Sequence, residues 1–289
     1  MNIETKQKPT DKCFPHFSVA MCVYKGDNPE WFALSIKSIL EQTVAPNEVV
    51  LVVDGPITEE LDQVILQYES NEIFKIIRLE VNQGHGNARR VALKACTHDL
   101  VALMDADDIS LQDRFEKQLN AFQDDEELSV VGGNISEFIG EPDNIVGYRL
   151  VPEDHQGISK YLQKRCPFNQ MTVMFKKCDV EKVGGYIDWY CDEDYYLWIR
   201  MYLANTKFAN IKDVLVNVRV GQEMYRRRGG WRYFKSEAKL QKYMYKNKVI
   251  GTGRYLSNIA KRFIMQVLLP NKLRGWVFKK FARSKQREK

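Results

Sequence analysis

Apolar segments that alternate with helix-like segments are the feature of this chain that most constrains its fold. Three of them, FSVAMCV at 17–23, EVVLVV at 48–53 and LVALM at 100–104, are too uniformly apolar for strands with one solvated face. Strands of this kind are buried on both faces, as in a parallel sheet that helices cover. The predicted strands are residues 17–23, 48–53, 74–79 and 100–104, and the predicted helices between them are residues 30–42, 59–68 and 86–95. We therefore expect an α/β domain with a mainly parallel central sheet and helices on both faces.

The order of the elements becomes mixed after residue 113. The predicted elements there are helices over residues 114–123, 158–164 and 194–204, a strand over 128–132 and a hairpin over 138–150. No internal repeat or flexible linker interrupts the series. We expect one α/β domain over residues 17–235, between a polar, frayed N-terminal segment (1–16) and a basic helical C-terminal extension (236–289).

The composition is typical of a folded enzyme in a reducing compartment. Apolar residues make up 44% of the chain and charged residues 28%, which argues against disorder. The N-terminus lacks the apolar core of a signal peptide, and no segment approaches the ~18 apolar residues of a spanning helix. None of the six cysteines lies in a CxxC pair or in a zinc-like spacing. We therefore expect a cytoplasmic protein with reduced thiols.

Polar residues follow three of the predicted strands directly, at Asp54, Asn82 and Asp105. In open α/β sheets the carboxyl ends of the strands form the crevice that binds ligands. Asn82 also begins the loop NQGHGNAR, whose glycines and following helix N-terminus suit a phosphate or nucleotide, although a lone G-x-G is weak. The pattern predicts a nucleotide or sugar site, with an ordinary turn as the alternative for Asp54.

Asp105-Ala106-Asp107-Asp108 is the sharpest motif in the chain. Carboxylates at positions i and i+2 after an apolar strand are costly to bury unless something compensates their charge. A divalent cation, Mg²⁺ or Mn²⁺, takes such oxygen ligands and completes its shell with substrate phosphates. The alternative is a helix N-cap, in which Asp108 or Ser110 caps the helix that follows.

A second acidic cluster, Asp192-Glu193-Asp194, precedes the aromatic helical segment YYLWIRMYLA. Acids at a helix start are stabilised by the helix dipole, so capping is one interpretation. Three acids exceed what capping requires, however, and their mutual repulsion raises the pKa of one of them towards the range of a general base. The sequence leaves both interpretations open.

Taken in order, these segments resemble the family 2 glycosyltransferases with the GT-A fold, of the type that builds bacterial capsule, exopolysaccharide or O-antigen. The resemblance covers residues 17–235. The matching segments are SVAMCVYKGDNPEWFALSIKSILEQT, VVDG, NQGHGNARR, LMDADD, CPFNQMTVMFKK, DEDYYLWIR and RRRGGWRYF. Each segment is a weak match by itself, whereas the ordered series is specific. The resemblance implies a Rossmann-like GT-A domain.

The resemblance also implies a role for each matching position. Asp107 is the direct metal ligand for Mn²⁺ or Mg²⁺, Asp194 is the general base, and Glu193 positions the acceptor or shares that role. The implied nucleotide-binding residues are Val23, Tyr24, Asp54, Asn82, Arg89, Asp105 and Ala106, with Asp54 on the base and Asp105 on the ribose or the metal. Weaker expectations for the acceptor or diphosphate side are Asn169, Gln170, Asp192, Arg226 and Arg227.

The implied reaction is transfer of a sugar from a nucleotide-sugar, UDP-linked by default, to a glycan or a lipid-linked saccharide, with inversion in a single displacement. A binding-only relative and a nucleotidyltransferase are the alternatives. The second acidic cluster argues against a binder, and MCVYKGDNP at the first strand lacks the glycine-rich signature of a nucleotidyltransferase. Gln170 stands where many relatives carry His, so that position lacks a charged ligand.

The C-terminal part of the chain is strongly basic, with 21 Lys and Arg and three acids from Arg219 onward, against a net charge of +5 for the whole chain. The apolar residues Leu256, Ile259, Ala260, Phe263, Ile264, Val267 and Leu268 follow a helical spacing. Such a segment suits an anionic membrane surface, at the inner face of the cell membrane. The alternative is a helix packed on its own domain with its charged side solvated. Nucleic acid is not an expected partner, because no binding module accompanies the basic residues.

Overall fold

The computed structural model describes residues 13–221 and 229–270, which form one large mixed sheet with helices on both faces. The strands are β1 (Phe17–Val23), β2 (Glu48–Val53), β3 (Phe74–Arg78), β4 (Leu100–Met104), β5 (Ile109–Ser110), β6 (Leu128–Phe138), β7 (Ile145–Arg149), β8 (Met174–Lys176) and β9 (Lys207–Arg219). The helices are α1 (Pro29–Leu40), α2 (Glu59–Leu66), α3 (His85–Ala95), α4 (Arg114–Asp124), α5 (His155–Leu162), α6 (Lys177–Lys182), α7 (Glu193–Leu203), α8 (Trp231–Lys246) and α9 (Thr252–Phe263). A 3₁₀ turn (Gln170–Thr172) precedes β8, and a π-helical turn (Ile264–Leu268) follows α9.

The sheet joins a parallel half to a mixed half. Its strand order is β3-β2-β1-β4-β8-β6-β9-β5, and β7 pairs with β6 beside this path. The first four strands are parallel, with β1 between β2 and β4, so their carboxyl ends meet at one edge. In the other half, β8 runs antiparallel to β4 and β6, whereas β6 and β9 pair in parallel along most of their length. The predicted mostly parallel sheet is confirmed.

Two hydrophobic cores cover the two faces of the sheet. Successive residues of β1 alternate between them: Val19 and Met21 belong to one core and Ala20 to the other. Helices α1, α2 and α4 bury their apolar sides in the first core, and α3, α5, α7 and α8 bury theirs in the second. This arrangement explains why the central strands are apolar throughout, because neither face of them meets water.

Local sequence signals set the helix starts in the parallel half. Pro29 occupies the first turn of α1, and the side chain of Asn28 accepts a hydrogen bond from the backbone N–H of Trp31 at 3.1 Å. Thr58 caps α2 in the same way through Leu61 N–H at 3.4 Å. Such caps satisfy backbone donors that have no partner inside the helix. The predicted bounds of β1, β2 and β4 are confirmed, and those of α1 and α3 are within two residues.

The mixed half departs more from the sequence prediction. The strand predicted over 128–132 continues to Phe138, and β9, which pairs with it, was not predicted at all. The segment KFANIKDVLVNVR of β9 mixes polar and apolar residues, and its partner lies about 80 positions earlier in the chain, as in the pair Ser136 and Asn217. Local periodicity carries little information about such a long-range parallel pairing.

Helices α8 and α9 pack against the main domain. Leu240 and Met244 of α8 lie in the same core as Trp198 of α7, and α8 crosses the predicted division at 235/236. Helix α9 meets the domain with Asn258 and Arg262, both of which contact the segment after α5. The alternative in which this helix packs on its own domain agrees with these contacts. Its charged side is not solvated throughout, however, because the ion pair of Arg262 lies inside the contact. The division into domains stays a prediction.

Candidate active site

Asp54, directly after β2, organises the loop that follows β3. Its carboxylate accepts hydrogen bonds from the backbone N–H groups of Gln83 at 2.7 Å and Gly84 at 3.0 Å. The Asn82 side chain donates to the backbone carbonyl of Asp54 at 3.0 Å. Gly55 has φ +83°, and a Cβ there would lie 2.5 Å from Asn82 N, so the two loops require glycine at their closest approach. The predicted contact of Asp54 with a nucleobase stays a prediction.

Val23 and Tyr24 lie at the same edge of the sheet. The Val23 carbonyl accepts from the backbone N–H of Asp54 at 2.8 Å, which joins the ends of β1 and β2. The backbone N–H of Tyr24 donates to the carboxylate of Asp27 at 2.9 Å, while its side chain is 43% exposed. The structure thus brings the predicted nucleobase residues Val23, Tyr24 and Asp54 together.

Arg89 links the two acidic clusters. Its guanidinium is buried on α3, donates to Asp105 Oδ1 at 2.6 Å and lies 4.0 Å from Glu193 Oε1. Burial by itself lowers the pKa of Arg89, but the neighbouring negative charges, Asp105 foremost, outweigh that effect and keep it charged. In turn, burial raises the pKa of Asp105, but the Arg89 and His85 charges dominate and the pKa is lowered. Asp105 therefore stays ionised and is held in place by Arg89.

His85, the first residue of α3, lies between the same two acids. Its Nδ1 is 3.5 Å from Glu193 Oε1, and its Nε2 is 4.0 Å from Asp105 Oδ1. Gly86 follows His85 on the same turn and lies beside the Glu193 side chain, which a Cβ there would meet in ordinary van der Waals contact at 3.6 Å. The sequence analysis did not single out His85, because a histidine in a glycine loop carries no pattern of its own.

Asp107 and Asp108 are held by the end of β9. Arg219 donates from its backbone N–H to Asp108 Oδ1 at 3.0 Å and from its guanidinium to the Asp107 carbonyl at 3.4 Å. That guanidinium lies between the rings of Trp31 and Phe138, 4.5 and 4.6 Å from their centroids. Arg219 was missed in the sequence, because only the long-range pairing of β9 brings it here.

The N-cap interpretation of this motif is wrong. Helix α4 begins at Arg114 after Asp113, and Ser110 belongs to β5, so neither Asp108 nor Ser110 caps it. Asp108 is 2% exposed, and burial followed by the charges of Asp107 and Asp105 raises its pKa well above the ordinary value. Ala106, which lies between Asp105 and Asp107 in the sequence, is also buried.

Asp27, which the sequence analysis also missed, adds a further carboxylate to this cluster. Burial, together with the charges of Asp107 and Asp105, raises its pKa to about 6. Asp27, Asp105, Asp107 and Asp108 thus bring four carboxylates to this edge of the sheet, and burial and mutual repulsion raise the pKa of two of them, Asp27 and Asp108. Carboxylate oxygens are hard ligands, which suit Mn²⁺ or Mg²⁺. Within residues 13–221 and 229–270, no three His, Cys, Asp or Glu side chains converge as a metal cage.

Glu193 and Asp194 begin α7 with opposite pKa shifts. Burial acts to raise the pKa of Glu193, but the hydrogen bond to His85 and the charge of Arg89 lower it. Burial and the neighbouring Glu193 charge raise the pKa of Asp194. Asp194 accepts from Tyr195 N–H at 2.6 Å and from the Cys166 thiol at 3.8 Å. Asp194 is therefore the stronger proton acceptor of the pair.

Asp192 lies just before α7 and is 3% exposed. Burial and the charge of Asp194 raise its pKa to about 8, and its Oδ2 has no hydrogen-bond partner. Although Asp192 occupies the N-cap position, its side chain makes no capping bond. The capping interpretation of the cluster therefore does not hold for Asp192.

Asn169 and Gln170 hydrogen-bond to other residues of the protein scaffold. Asn169 is fully buried and donates to the Gly133 carbonyl of β6 at 2.8 Å. Gln170 is buried and donates to the Tyr186 hydroxyl at 2.8 Å. The predicted residues Arg226 and Arg227 lie outside the described residues.

The two acidic clusters meet at Arg89, beside the carboxyl ends of the parallel strands, and comparisons with known proteins identify the class. The family model "Glycosyl transferase family 2" matches residues 18–181. The chain is 37% identical over 269 residues to the Escherichia coli UDP-Gal:alpha-D-GlcNAc-diphosphoundecaprenol beta-1,3-galactosyltransferase, covering 93% of this chain and 97% of that protein. It is 34% identical to the Erwinia amylovora amylovoran biosynthesis glycosyltransferase AmsE, covering 91% and 98%.

Among solved structures, S. aureus TarS 1–349 in complex with UDP-GlcNAc superposes with a TM-score of 0.62 at 18% identity, over 86% of this chain and 72% of that one. At this identity the likeness concerns the fold, which is the GT-A fold. The chain belongs to glycosyl transferase family 2 and is a glycosyltransferase.

Proposed function

We propose that this enzyme transfers a sugar, with inversion, from a UDP-sugar to the terminal saccharide of a lipid-linked acceptor in surface polysaccharide synthesis. The observation that carries the proposal is the opposite tuning of Glu193 and Asp194, linked through Arg89 to Asp105. An inverting transfer requires a carboxylate that stays ionised on the donor side and a carboxylate that accepts a proton on the acceptor side.

The donor nucleotide occupies the edge formed by β1, β2 and β4. Val23, Tyr24 and Asp54 surround its base, and Asn82 and Arg89 hold the loop and the acid beside its ribose. Support for UDP comes from two similar proteins: the galactosyltransferase relative is named for UDP-Gal, and the superposed TarS structure contains UDP-GlcNAc.

Asp107, with Asp105 beside it, would hold the divalent cation together with the donor diphosphate. When bound, the cation neutralises the negative charge that develops on the leaving diphosphate. The chain's own residues prepare this place: Arg219 fixes the Asp107 backbone, and Arg89 keeps Asp105 ionised. A cation binding here requires the nucleotide as a co-ligand, because the described protein atoms form no complete cage.

Asp194 acts as the general base in this proposal. It takes the proton from the acceptor hydroxyl as that oxygen attacks the anomeric carbon, while the bond from that carbon to the diphosphate oxygen breaks and the diphosphate keeps the electron pair. Glu193, ionised beside Arg89 and His85, positions the acceptor. No covalent intermediate forms, so the anomeric configuration inverts.

The acceptor is proposed from the relatives and from the charge of the chain. The Escherichia coli relative acts, by its name, on GlcNAc-diphosphoundecaprenol. Among the described residues, no helix is long and apolar enough to cross a bilayer. Because the proposed acceptor is lipid-linked, we place the enzyme at the surface of the membrane that holds it, with Asn169, Gln170 and Asp192 behind the acceptor site.

Product analysis tests this function. The full chain is incubated with Mn²⁺, a lipid-diphosphate saccharide and UDP-, GDP- or TDP-sugars in turn, and the new linkage is assigned by NMR. We expect one UDP-sugar with an α-linked donor to give a β-linked product. A product that retains the α configuration would exclude the single displacement, and transfer from a GDP-sugar alone would exclude UDP.

A further inference from the structure

Helix α9 is docked with its polar side against the protein. Asn258, 3% exposed, donates to the Gln163 carbonyl at 2.9 Å and to the Gln241 side chain at 2.8 Å. One turn further, Arg262 forms an ion pair with Glu237 of α8, with both side chains nearly buried, and donates to the Lys164 carbonyl at 3.1 Å. These satisfied polar contacts fix the rotation of the helix about its axis.

The same rotation turns the apolar side of α9 outward. Leu256 and Leu268 are each 60% exposed and Ile264 is 49% exposed, and the exposed Ala260 lies between them. Their spacing of four residues puts them in one stripe along the helix and the π-helical turn. Trp231, 57% exposed, packs edge-on against Phe263 beside this stripe.

A globular protein ordinarily presents the apolar side of a surface helix to its core and the polar side to water. On α9 this order is partly reversed, because the buried positions Asn258 and Gln266 are polar and the apolar Ile259, Phe263 and Val267 are only half-buried. The hydrophobic contribution of the exposed stripe is therefore only partly used in folding the described chain. A contiguous exposed apolar surface of this kind marks a contact with another apolar phase.

We propose that the stripe formed by Leu256, Ala260, Ile264 and Leu268 inserts into the surface of an anionic lipid bilayer. Charge complementarity selects this occupant. Arg254 and Lys261 are exposed on the same helix, and the sequence beyond it, residues 271–289, contains eight Lys and Arg against one acid. A second copy of the chain, or its own basic tail, would bring like charge to the stripe, whereas anionic headgroups bring opposite charge.

The helix pair also connects this surface to the acceptor side of the active site. The Ser236 hydroxyl of α8 donates to the Tyr190 carbonyl at 2.6 Å, and the Arg232 guanidinium lies 4.0 Å from the centre of the Tyr190 ring. Tyr190 is two residues from Asp192, so a bilayer at α9 lies beside the element that carries the proposed base. This step rests on the proposed function, in which the acceptor is lipid-linked, whereas vesicle binding does not.

Vesicle co-sedimentation of the full chain tests the proposal. The vesicles contain phosphatidylethanolamine with phosphatidylglycerol, or phosphatidylcholine alone. The test variant is Leu256→Ser/Leu268→Ser, and the matched control is Leu66→Ser/Val146→Ser, which removes two similarly exposed apolar side chains from α2 and β7. All four positions are exposed, and circular dichroism checks the fold of each variant.

We expect the wild type and the control to sediment with the anionic vesicles and less with phosphatidylcholine, and the test variant to bind at least about tenfold more weakly. Equal binding of test variant and control, or no binding by the wild type, would overturn the proposal. A wild-type dimer in light scattering that the test variant converts to a monomer would assign the stripe to a second copy instead.

The same proteins separate this proposal from the proposed function. Vesicle binding without transfer to any acceptor would remove the proposed function and leave the membrane surface standing. Transfer to a short-chain acceptor in solution, without vesicle binding, would do the reverse.

Discussion

The two acidic clusters of this enzyme, residues 105–108 after β4 and residues 192–194 at the start of α7, are neutralised differently. In the first, Asp105 has a buried guanidinium at 2.6 Å and Asp108 has the backbone N–H of Arg219 at 3.0 Å. In the second, Glu193 shares Arg89 and His85, whereas Asp194 receives one backbone N–H and a thiol.

This difference in neutralisation distinguishes carboxylates that hold a ligand from a carboxylate that accepts a proton. A carboxylate paired with arginine has a lowered pKa and is a poor proton acceptor, but it is a dependable anchor. A buried carboxylate beside another acid has a raised pKa and binds a proton more readily. In the proposed function, Asp105 therefore serves the donor side as an ionised carboxylate, and Asp194 accepts the proton of the acceptor hydroxyl.

Asp194→Asn removes the proposed base and leaves the shape of the site. We expect the turnover number to fall about 10²–10⁴-fold, while nucleotide binding is unchanged because Asp105 and Arg89 remain. Initial rates and calorimetry on the same preparation measure the two effects.

Glu181→Gln, which changes an exposed acid of α6, is the matched control and keeps full turnover. If Asp194→Asn retained turnover and Glu193→Gln abolished it, the assignment within the pair would be reversed.

Arg89→Ala breaks the bridge between the clusters. Removing one partner of a buried ion pair costs about 3–5 kcal/mol of folding free energy, and the pKa of both Asp105 and Glu193 rises towards neutrality. We expect a lower melting temperature and nucleotide affinity reduced at least about tenfold. Arg90→Ala, at the exposed neighbouring position, is the control. If the two variants had equal melting temperatures and nucleotide affinities, Arg89 would not be the bridge between the clusters.

The sequence predicted the meeting of the strand ends in the parallel half better than the contacts made by β9 and α9. Asp54 and Asp105 follow strands whose apolar runs are visible locally, so their meeting at one edge was predictable. The hydrogen bond from Arg219 to the Asp107 carbonyl depends on β9, whose pairing with β6 is long-range. For α9 the sequence showed which residues share a side, but only the partners of Asn258 and Arg262 decide which side meets the domain.

Asp192 gives the protein a pH-dependent stability. Its folded pKa is about 8, above the value of about 3.9 for an unfolded aspartate. The folded state therefore binds the proton more tightly, and this contribution is present below pH ~4 and lost as the pH rises to ~8. We expect thermal unfolding temperatures to fall across that window and Asp192→Asn to flatten the fall. The exposed Asp143→Asn should not, and an identical slope in Asp192→Asn would contradict the assignment.

The Cys166 thiol makes the smallest expected contribution. It donates to Asp194 Oδ2, and burial keeps its pKa above the ordinary value, so it stays a neutral donor. Cys166→Ala should move the acid limb of the pH–rate profile to higher pH and slow turnover about twofold to fivefold below the optimum. Cys166→Ser should restore the limb, whereas Cys178→Ala, at an exposed cysteine, should leave it in place. An unshifted limb in Cys166→Ala would show that the thiol does not tune the base.

Calorimetric titration of UDP tests whether ligand binding and proton transfer belong to different carboxylates. UDP is titrated into the wild type, Asp107→Ala and Asp194→Asn, each with Mn²⁺ and with EDTA. We expect Mn²⁺-dependent UDP binding in the wild type, its loss in Asp107→Ala and its retention in Asp194→Asn. Metal-dependent binding that survives in Asp107→Ala, or disappears in Asp194→Asn, would contradict the assignment of nucleotide and cation to the first cluster.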